Sequence, residues 1–161
     1  MENKLPPLTI RLFENTEADK ARVNGFFDSL DPEARAFFNH GDGNRRATLR
    51  YFDDPVADSQ DVFRLMAVDE EGRMVGYLFA AEINTGVPGI GLGVSPKAQG
   101  LGLGRKLIDA GWEMLRARGA AGMWLCTHQA NLRAQMLYYS YGFEHMGDYT
   151  SGDMLFIYRK K

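Results

Sequence analysis

Apolar residues recur along the chain with two periods, and the switches between them divide it into elements. Leu8 to Phe13 reads as a first strand. Thr16 then opens a helix from about Glu17 to Leu30, on which Val23, Phe26, Phe27 and Leu30 return at helical spacing. Asp31-Pro32-Glu33 starts a second helix, with proline at its first position and acids near its positive end, and Gly41-Asp42-Gly43 ends it. Asn44 to Gln60 keeps no clear period and is expected to be a helical turn followed by a loop. From Asp61 the period becomes that of strands. Val62 to Val68 and Met74 to Ile83 are joined by Asp69-Glu70-Glu71-Gly72 as a hairpin.

Gly86, Pro88 and Gly89 break the chain before a short glycine-rich strand, Ile90 to Val94. A helix follows from about Gly102 to Arg118. Leu103, Leu107, Ile108, Gly111, Met114 and Leu115 share its inner face, and Gly119 is placed to close it. Met123 to Thr127 is a strand and Asn131 to Tyr141 a helix. Phe143 to Tyr149 and Met154 to Tyr158 are two last strands. The final run scarcely alternates, which predicts burial on both of its faces. The elements add up to an α/β chain, a mixed sheet of about seven strands flanked by about four helices. With 161 residues and no internal repeat or low-complexity linker, it reads as a single domain over 1–161.

Composition narrows the function classes. A formal charge of −2 with both signs scattered offers no basic field, which argues against nucleic acid and membrane as partners. Met1-Glu2-Asn3-Lys4 lacks the positive start and apolar run of a signal peptide. No segment approaches the roughly 18 apolar residues that a membrane span needs. The lone Cys126 excludes an intramolecular disulfide and a multi-cysteine metal site, so no metal and a reducing, cytoplasmic location are expected.

The segment Val94-Ser95-Pro96-Lys97-Ala98-Gln99-Gly100-Leu101-Gly102-Leu103-Gly104-Arg105 carries the strongest chemical signal. A strand ends, Pro96 turns the chain, and a helix begins among three alternating glycines. Such a loop bares backbone N–H groups at a helix N-terminus, where the dipole favours an anion. Glycine lets the backbone approach a bulky pyrophosphate, and Arg105 adds a mobile cation beside it. A Walker loop would need Gly-Lys-Ser/Thr where Gly104-Arg105-Lys106 stands, and a dinucleotide fingerprint would need G-x-G-x-x-G spacing. A general nucleotide-binding module is therefore disfavoured. A second motif, Asn131-Leu132-Arg133-Ala134-Gln135-Met136-Leu137-Tyr138 followed by Gly142-Phe143, is independent of the first. Positions 131 and 138 lie on one helix face, about 20° apart and roughly 10 Å along the axis, suited to two points on one extended ligand.

Together the two motifs resemble the GNAT N-acetyltransferase superfamily, whose coenzyme A loop reads Arg/Gln-x-x-Gly-x-Gly/Ala and whose following helix reads Asn-x-x-Ala-x-x-x-Tyr-x-x-x-Gly-Phe. Gln99, Gly102 and Gly104 occupy the loop places; Asn131, Ala134, Tyr138, Gly142 and Phe143 occupy the others. The resemblance implies a mostly antiparallel, twisted sheet and acetyl-CoA as cosubstrate. It further implies that the amides of Gln99, Gly100, Leu101, Gly102, Leu103, Gly104 and Arg105 hold the pyrophosphate. The backbone of Leu92, Gly93 and Val94 would pair with the pantetheine arm, Asn131 would contact that arm, and Tyr138 would protonate the departing thiolate. The activity implied is transfer of acetyl to a primary amine, small or on a peptide, by direct transfer in a ternary complex.

The sequence departs from the family pattern at the general base. The position of the usual glutamate falls on Pro88, and the nearest acid is Glu82, at the end of the preceding strand. His128, an imidazole following a strand near the presumed cleft, is a second candidate, and water is a third choice. Cys126, inside the apolar run Met123 to Cys126, reads as an inert buried cysteine rather than a nucleophile. Gly89, Gly91 and Gly93 alternate on one strand face, leaving space for a bulky acceptor, for an acyl group larger than acetyl, or for a bulge. A non-catalytic acyl-CoA sensor on the same fold is the alternative that the displaced glutamate favours. Acceptor identity and oligomeric state stay open, a homodimer being one assembly the sequence allows.

Overall fold

The computed structural model describes residues 4–39 and 42–161. Gly41, expected to end the second helix, lies outside the described residues. The hairpin around Asp69–Gly72 forms as its turn residues demand. Gly72 takes a left-handed φ of 79°, and the Asp69 carboxylate accepts the amides of Glu71 and Arg73 at 3.0 and 2.9 Å. Its arms, β2 (Val62–Asp69) and β3 (Met74–Ala81), lie between β1 (Leu8–Leu12) on one side and β4 (Gly89–Val94) on the other. β5 (Gly122–Thr127), β6 (Glu144–Asp148) and β7 (Met154–Arg159) complete a seven-stranded sheet in the order β1-β2-β3-β4-β5-β7-β6. Only the β4–β5 neighbours are parallel, so the sheet is mixed and mostly antiparallel.

Alternation along the strands sorts side chains into two layers. Leu78, Ala80, Ile90, Leu125 and Phe156 pack with Leu103, Leu107, Ile108 and Leu115 of α5 (Leu103–Ala117) and with Tyr138 of α6 (Leu132–Tyr141). Met66 and Tyr77 face the other way, onto Val23, Phe26 and Phe27 of α1 (Glu17–Ser29). The second predicted helix is short. α2 (Pro32–Ala34), capped by Asp31, runs into a π-helical turn, Arg35–Asn39.

Asn44 to Gln60 departs from expectation: it holds α3 (Gly43–Asp53) and α4 (Pro55–Asp58). α3 buries only Thr48 completely, and its arginines blur the apolar stripe. Its place is fixed by polar contacts the sequence does not announce. Thr48 Oγ1 and the Tyr77 hydroxyl lie 2.9 Å apart, and Arg64, also buried, donates to that hydroxyl and to Asp58. The burial expected on both faces of the last strand is also corrected. α5 and α6 cover Phe156 and Tyr158 through Trp112, Tyr138 and Tyr139, whereas Leu155 and Ile157 stay half-buried on the opposite face. Among the described residues, no helix is long and apolar enough to cross a membrane.

Asp19, fully buried near the start of α1, ties that helix to β1. It accepts two hydrogen bonds from Arg11 (2.8 and 2.7 Å), one from Arg22 (2.8 Å) and one from the Glu14 amide (2.8 Å). Burial pushes its pKa up, but these donors outweigh burial and hold it at about 2, against an ordinary 3.8. A depressed carboxylate stabilises the fold above its unfolded pKa and loses that contribution as pH falls toward the folded one. The shift corresponds to about 2 kcal/mol. Thermal unfolding should therefore show a falling Tm between about pH 4 and pH 2. In Asp19→Asn the Tm should be lower at neutral pH and the decline with acid shallower; an equally steep decline would contradict the assignment.

Candidate active site

β4 and β5 run side by side but share one residue pair, Gly89 opposite Trp124. Around it, the Trp124 amide donates to the Pro88 carbonyl (3.0 Å) and the Ala121 amide to the Gly86 carbonyl (2.8 Å). All these bonds lie at the N-terminal ends of the strands. Further along, β4 keeps β3 on one edge as far as the Gly76–Val94 pair, while no register pair joins its other edge to β5. Leu92, Gly93 and Val94 thus border a gap in the middle of the sheet, where backbone N–H and C=O groups call for an outside partner.

At the wide end of the gap stands the glycine loop. A 3₁₀ turn, Pro96–Ala98, leads to Gly100 (φ 75°) and Gly102 (φ 86°), both left-handed. Gly102 is the N-cap of α5 and provides no side-chain acceptor; the first helical bond runs from the Lys106 amide to the Gly102 carbonyl (3.2 Å). The amides ahead of it have no intrahelical partner and sit at the positive end of a 15-residue helix. Gly104 has a different task. A Cβ there would stand 2.8 Å from Leu137 Cδ2, so this glycine lets α5 press against α6.

The gap and the loop open into one cavity of about 430 Å³. Leu92, Gly93, Val94, Gln99, Gly100, Gly102, Leu103, Gly104, Arg105, Asn131 and Tyr138 all line it. Of the predicted coenzyme residues only Leu101 does not; it lines a separate cavity behind the loop. Asn131 caps α6 by accepting the Ala134 amide at 3.2 Å. Arg105 is less mobile than expected, because its guanidinium lies 5.3 Å over the Tyr141 ring, whose hydroxyl donates to Asp109 at 2.8 Å. Other lining residues were given no role in the site from the sequence, among them Asp31, Glu33, Ala34, Phe37, Phe38, Arg133 and Leu137. Phe37 and Phe38 come from the π-helical turn and form a wall. Arg133, on α6, donates to Gln99 Oε1 across the mouth. The adjacent phenylalanines and the arginine inside the second motif were the available signals.

Tyr138 is the one fully buried side chain of α6, set 5.7 Å from Phe143 and 5.8 Å from Phe156, ring to ring. Burial raises its pKa above the ordinary phenol value, so it stays protonated at neutral pH. No protein group bonds its hydroxyl among the described residues. No sealed side-chain oxygen there lacks a partner either, so this one reaches the cavity.

Comparison with known proteins agrees with this geometry. The sequence model of the Acetyltransferase (GNAT) family matches residues 24–143. The chain belongs to that family. A mycothiol acetyltransferase of Acidothermus cellulolyticus is 32% identical over 89% of this chain and 48% of its own length. Another, from Salinispora arenicola, is 38% identical over 86% of this chain and 46% of its own. The chain spans about half the length of these relatives. Among solved structures, the GNAT domain of S. lividans PAT superposes with a TM-score of 0.75 at 17% identity, covering 94% of this chain and 89% of that one. Aminoglycoside acetyltransferase AAC(6')-Ib in complex with coenzyme A gives 0.71 at 20% identity, covering 96% and 95%. At these identities the likeness is one of fold.

The candidate bases of this GNAT chain are placed unequally. Glu82 follows β3 in a left-handed conformation (φ 56°), exposed, beside the narrow end of the gap where Ala81 pairs with Gly89. It lies outside the 430 Å³ cavity that holds Tyr138. His128 stacks on Phe37 at 4.9 Å, and its Nδ1 accepts the Ala130 amide at 3.0 Å. A neutral ring so bonded carries its proton on Nε2 and has no lone pair left for a substrate. Cys126 is half-buried rather than buried. Burial pushes its thiol up to about 11, reinforced by Asp153 and only partly offset by a hydrogen bond with Tyr149, which keeps it a poor nucleophile.

The glycine row of β4 leaves no free space. Trp124 covers Gly89, Phe79 covers Gly91 and Phe38 covers Gly93, each ring lying where a Cβ would have been. Open space does remain beside Gly102, where a side chain would meet no protein atom but would project from a left-handed backbone. Gly102→Val should therefore fold, at a strain of about 1–2 kcal/mol, and lose at least tenfold in coenzyme A affinity by calorimetric titration. A folded Gly102→Val variant with parent affinity would show that the loop does not carry the phosphates.

Proposed function

We propose that the chain transfers an acetyl group from acetyl-CoA to a primary amine, directly, within a ternary complex. The observation that carries this reading is a single cavity. It joins an unpaired strand edge, an uncapped helix N-terminus flanked by left-handed glycines, and a buried tyrosine kept in its acid form. In this reading the amides from Gln99 to Arg105 hold the pyrophosphate at the positive end of α5, and Arg133 and Arg105 border it. The edge of Leu92, Gly93 and Val94 pairs with the amides of the pantetheine arm, and Asn131 contacts the same arm from α6.

The reaction needs a neutral nitrogen, an acyl carbon and a proton for sulfur. As the amine nitrogen bonds to the acyl carbon, the C–S bond breaks and the electron pair leaves on sulfur. Tyr138 donates its phenolic proton to that thiolate, and solvent returns a proton to the phenolate. The amine proton passes through water to Glu82, which stands outside the cavity, since His128 has no lone pair to offer. With its thiol at about 11, Cys126 stays protonated, which argues for direct transfer over an acyl-cysteine route. The relatives named mycothiol acetyltransferase support acetyl transfer as the reaction class. Because the chain covers about half of each, their acceptor does not carry over with the name.

Turnover of acetyl-CoA against a panel of amines tests the reading, and coenzyme binding without turnover on any amine would favour the sensor instead. Tyr138→Phe deletes the acid and keeps the ring packing, so kcat should fall about 10²–10⁴-fold with little change in acetyl-CoA affinity. Tyr139→Phe is the control, its side chain being exposed. A loss under about threefold in single-turnover chemistry would return Tyr138 to a packing role. Glu82→Gln should lower turnover most at low pH without altering coenzyme affinity. A variant that keeps the parent pH–rate profile would remove Glu82 from the mechanism.

A further inference from the structure

Phe79 has no part in the chemistry above, yet its ring covers Gly91, the residue of β4 next to the proposed pantetheine edge. This placement rests on the proposed coenzyme site. If the arm lies along Leu92 to Val94 with its phosphates at the glycine loop, its thioester end points toward Gly91. Beyond Gly91 the strands converge on the Gly89–Trp124 pair, so the acyl tail cannot continue in the plane of the sheet. On the α5 side, Leu92, Leu137 and Tyr138 close the way. The tail is left with the glycine face of β4.

That face is tiled by rings. Gly91 is the cross-strand partner of Phe79, and a Cβ on Gly91 would run into Phe79 Cζ and Cε1. On Gly93 it would stand 2.8 Å from Phe38 Cε1, and on Gly89 2.9 Å from Trp124 Cζ2. Phe38 and Trp124 flank Phe79 on the two neighbouring glycines, and Tyr77 lies 5.7 Å from it, ring to ring. Phe79 is itself half-buried, its ring resting on Gly91 of β4 and beside Tyr77, just outside the residues that line the 430 Å³ cavity. We infer that Phe79 sets the length of the acyl group, admitting acetyl and turning away longer chains, and is the residue that determines donor specificity. Glycine at 91 serves this by letting the ring lie against the strand.

Calorimetric titration with CoA, acetyl-CoA and butyryl-CoA tests this without any acceptor. The parent protein should bind butyryl-CoA at least about tenfold more weakly than acetyl-CoA, because two added methylenes must displace a packed ring. Phe79→Ala should bring the two within about threefold while leaving CoA affinity unchanged, and Phe79→Leu should fall between. The leucine variant keeps the test open if alanine prevents folding. Equal binding of both thioesters by the parent, or undiminished discrimination in a folded Phe79 variant, would overturn the inference and leave the coenzyme site standing. Failure of the parent to bind CoA at all would instead remove the site, and the inference with it.

Discussion

A parallel pair of strands that touch at one point governs this molecule. β4 is held by β3 and β5 by β7, each along its whole length, so the sheet behaves as two antiparallel sheets hinged at Gly89 and Trp124. Peptide groups along the parted edges cannot stay unpaired in a protein interior without a cost of roughly 1–3 kcal/mol each. An extended chain bearing its own amides satisfies them in the way an added strand would. The loop, the two flanking helices and the buried tyrosine matter because they are arranged along that gap.

Packing keeps the gap open. α5 leaves β4 through the glycine loop and crosses beneath the sheet, where Gly76 and Gly111 let it close on β3 through Leu103, Leu107 and Leu78. α6 then wedges against α5 at Gly104 and Leu137, and Tyr138 fills the space between Phe143 and Phe156. Glycine thus does three separate things within a short stretch of chain. It permits a left-handed turn at Gly100 and Gly102, a helix–helix contact at Gly104, and ring-on-strand contact along β4.

The parts of the site that were legible in the sequence are those coded locally. The loop and the α6 motif are each short, continuous stretches of chain, and helical spacing alone puts Asn131 and Tyr138 on one face. What escaped depends on contacts distant in sequence. α3 is fixed through Thr48 by Tyr77 and Arg64, which no local period reveals. The space read beside Gly89, Gly91 and Gly93 is closed by rings from β3, β5 and the π-helical turn, and an isolated strand pattern cannot show what another element will lay on it. Arg105 likewise reads as a free cation until Tyr141, 36 positions on, is seen beneath it.

The hydrogen bond from Arg133 to Gln99 joins the glycine loop to α6 across the mouth of the cavity. It couples two positions that are 34 residues apart in the chain. Arginine at 99 would remove the side-chain oxygen that Arg133 bonds. The two positions therefore act on the mouth of the cavity as one unit: a substitution at either removes the latch that holds the loop against α6.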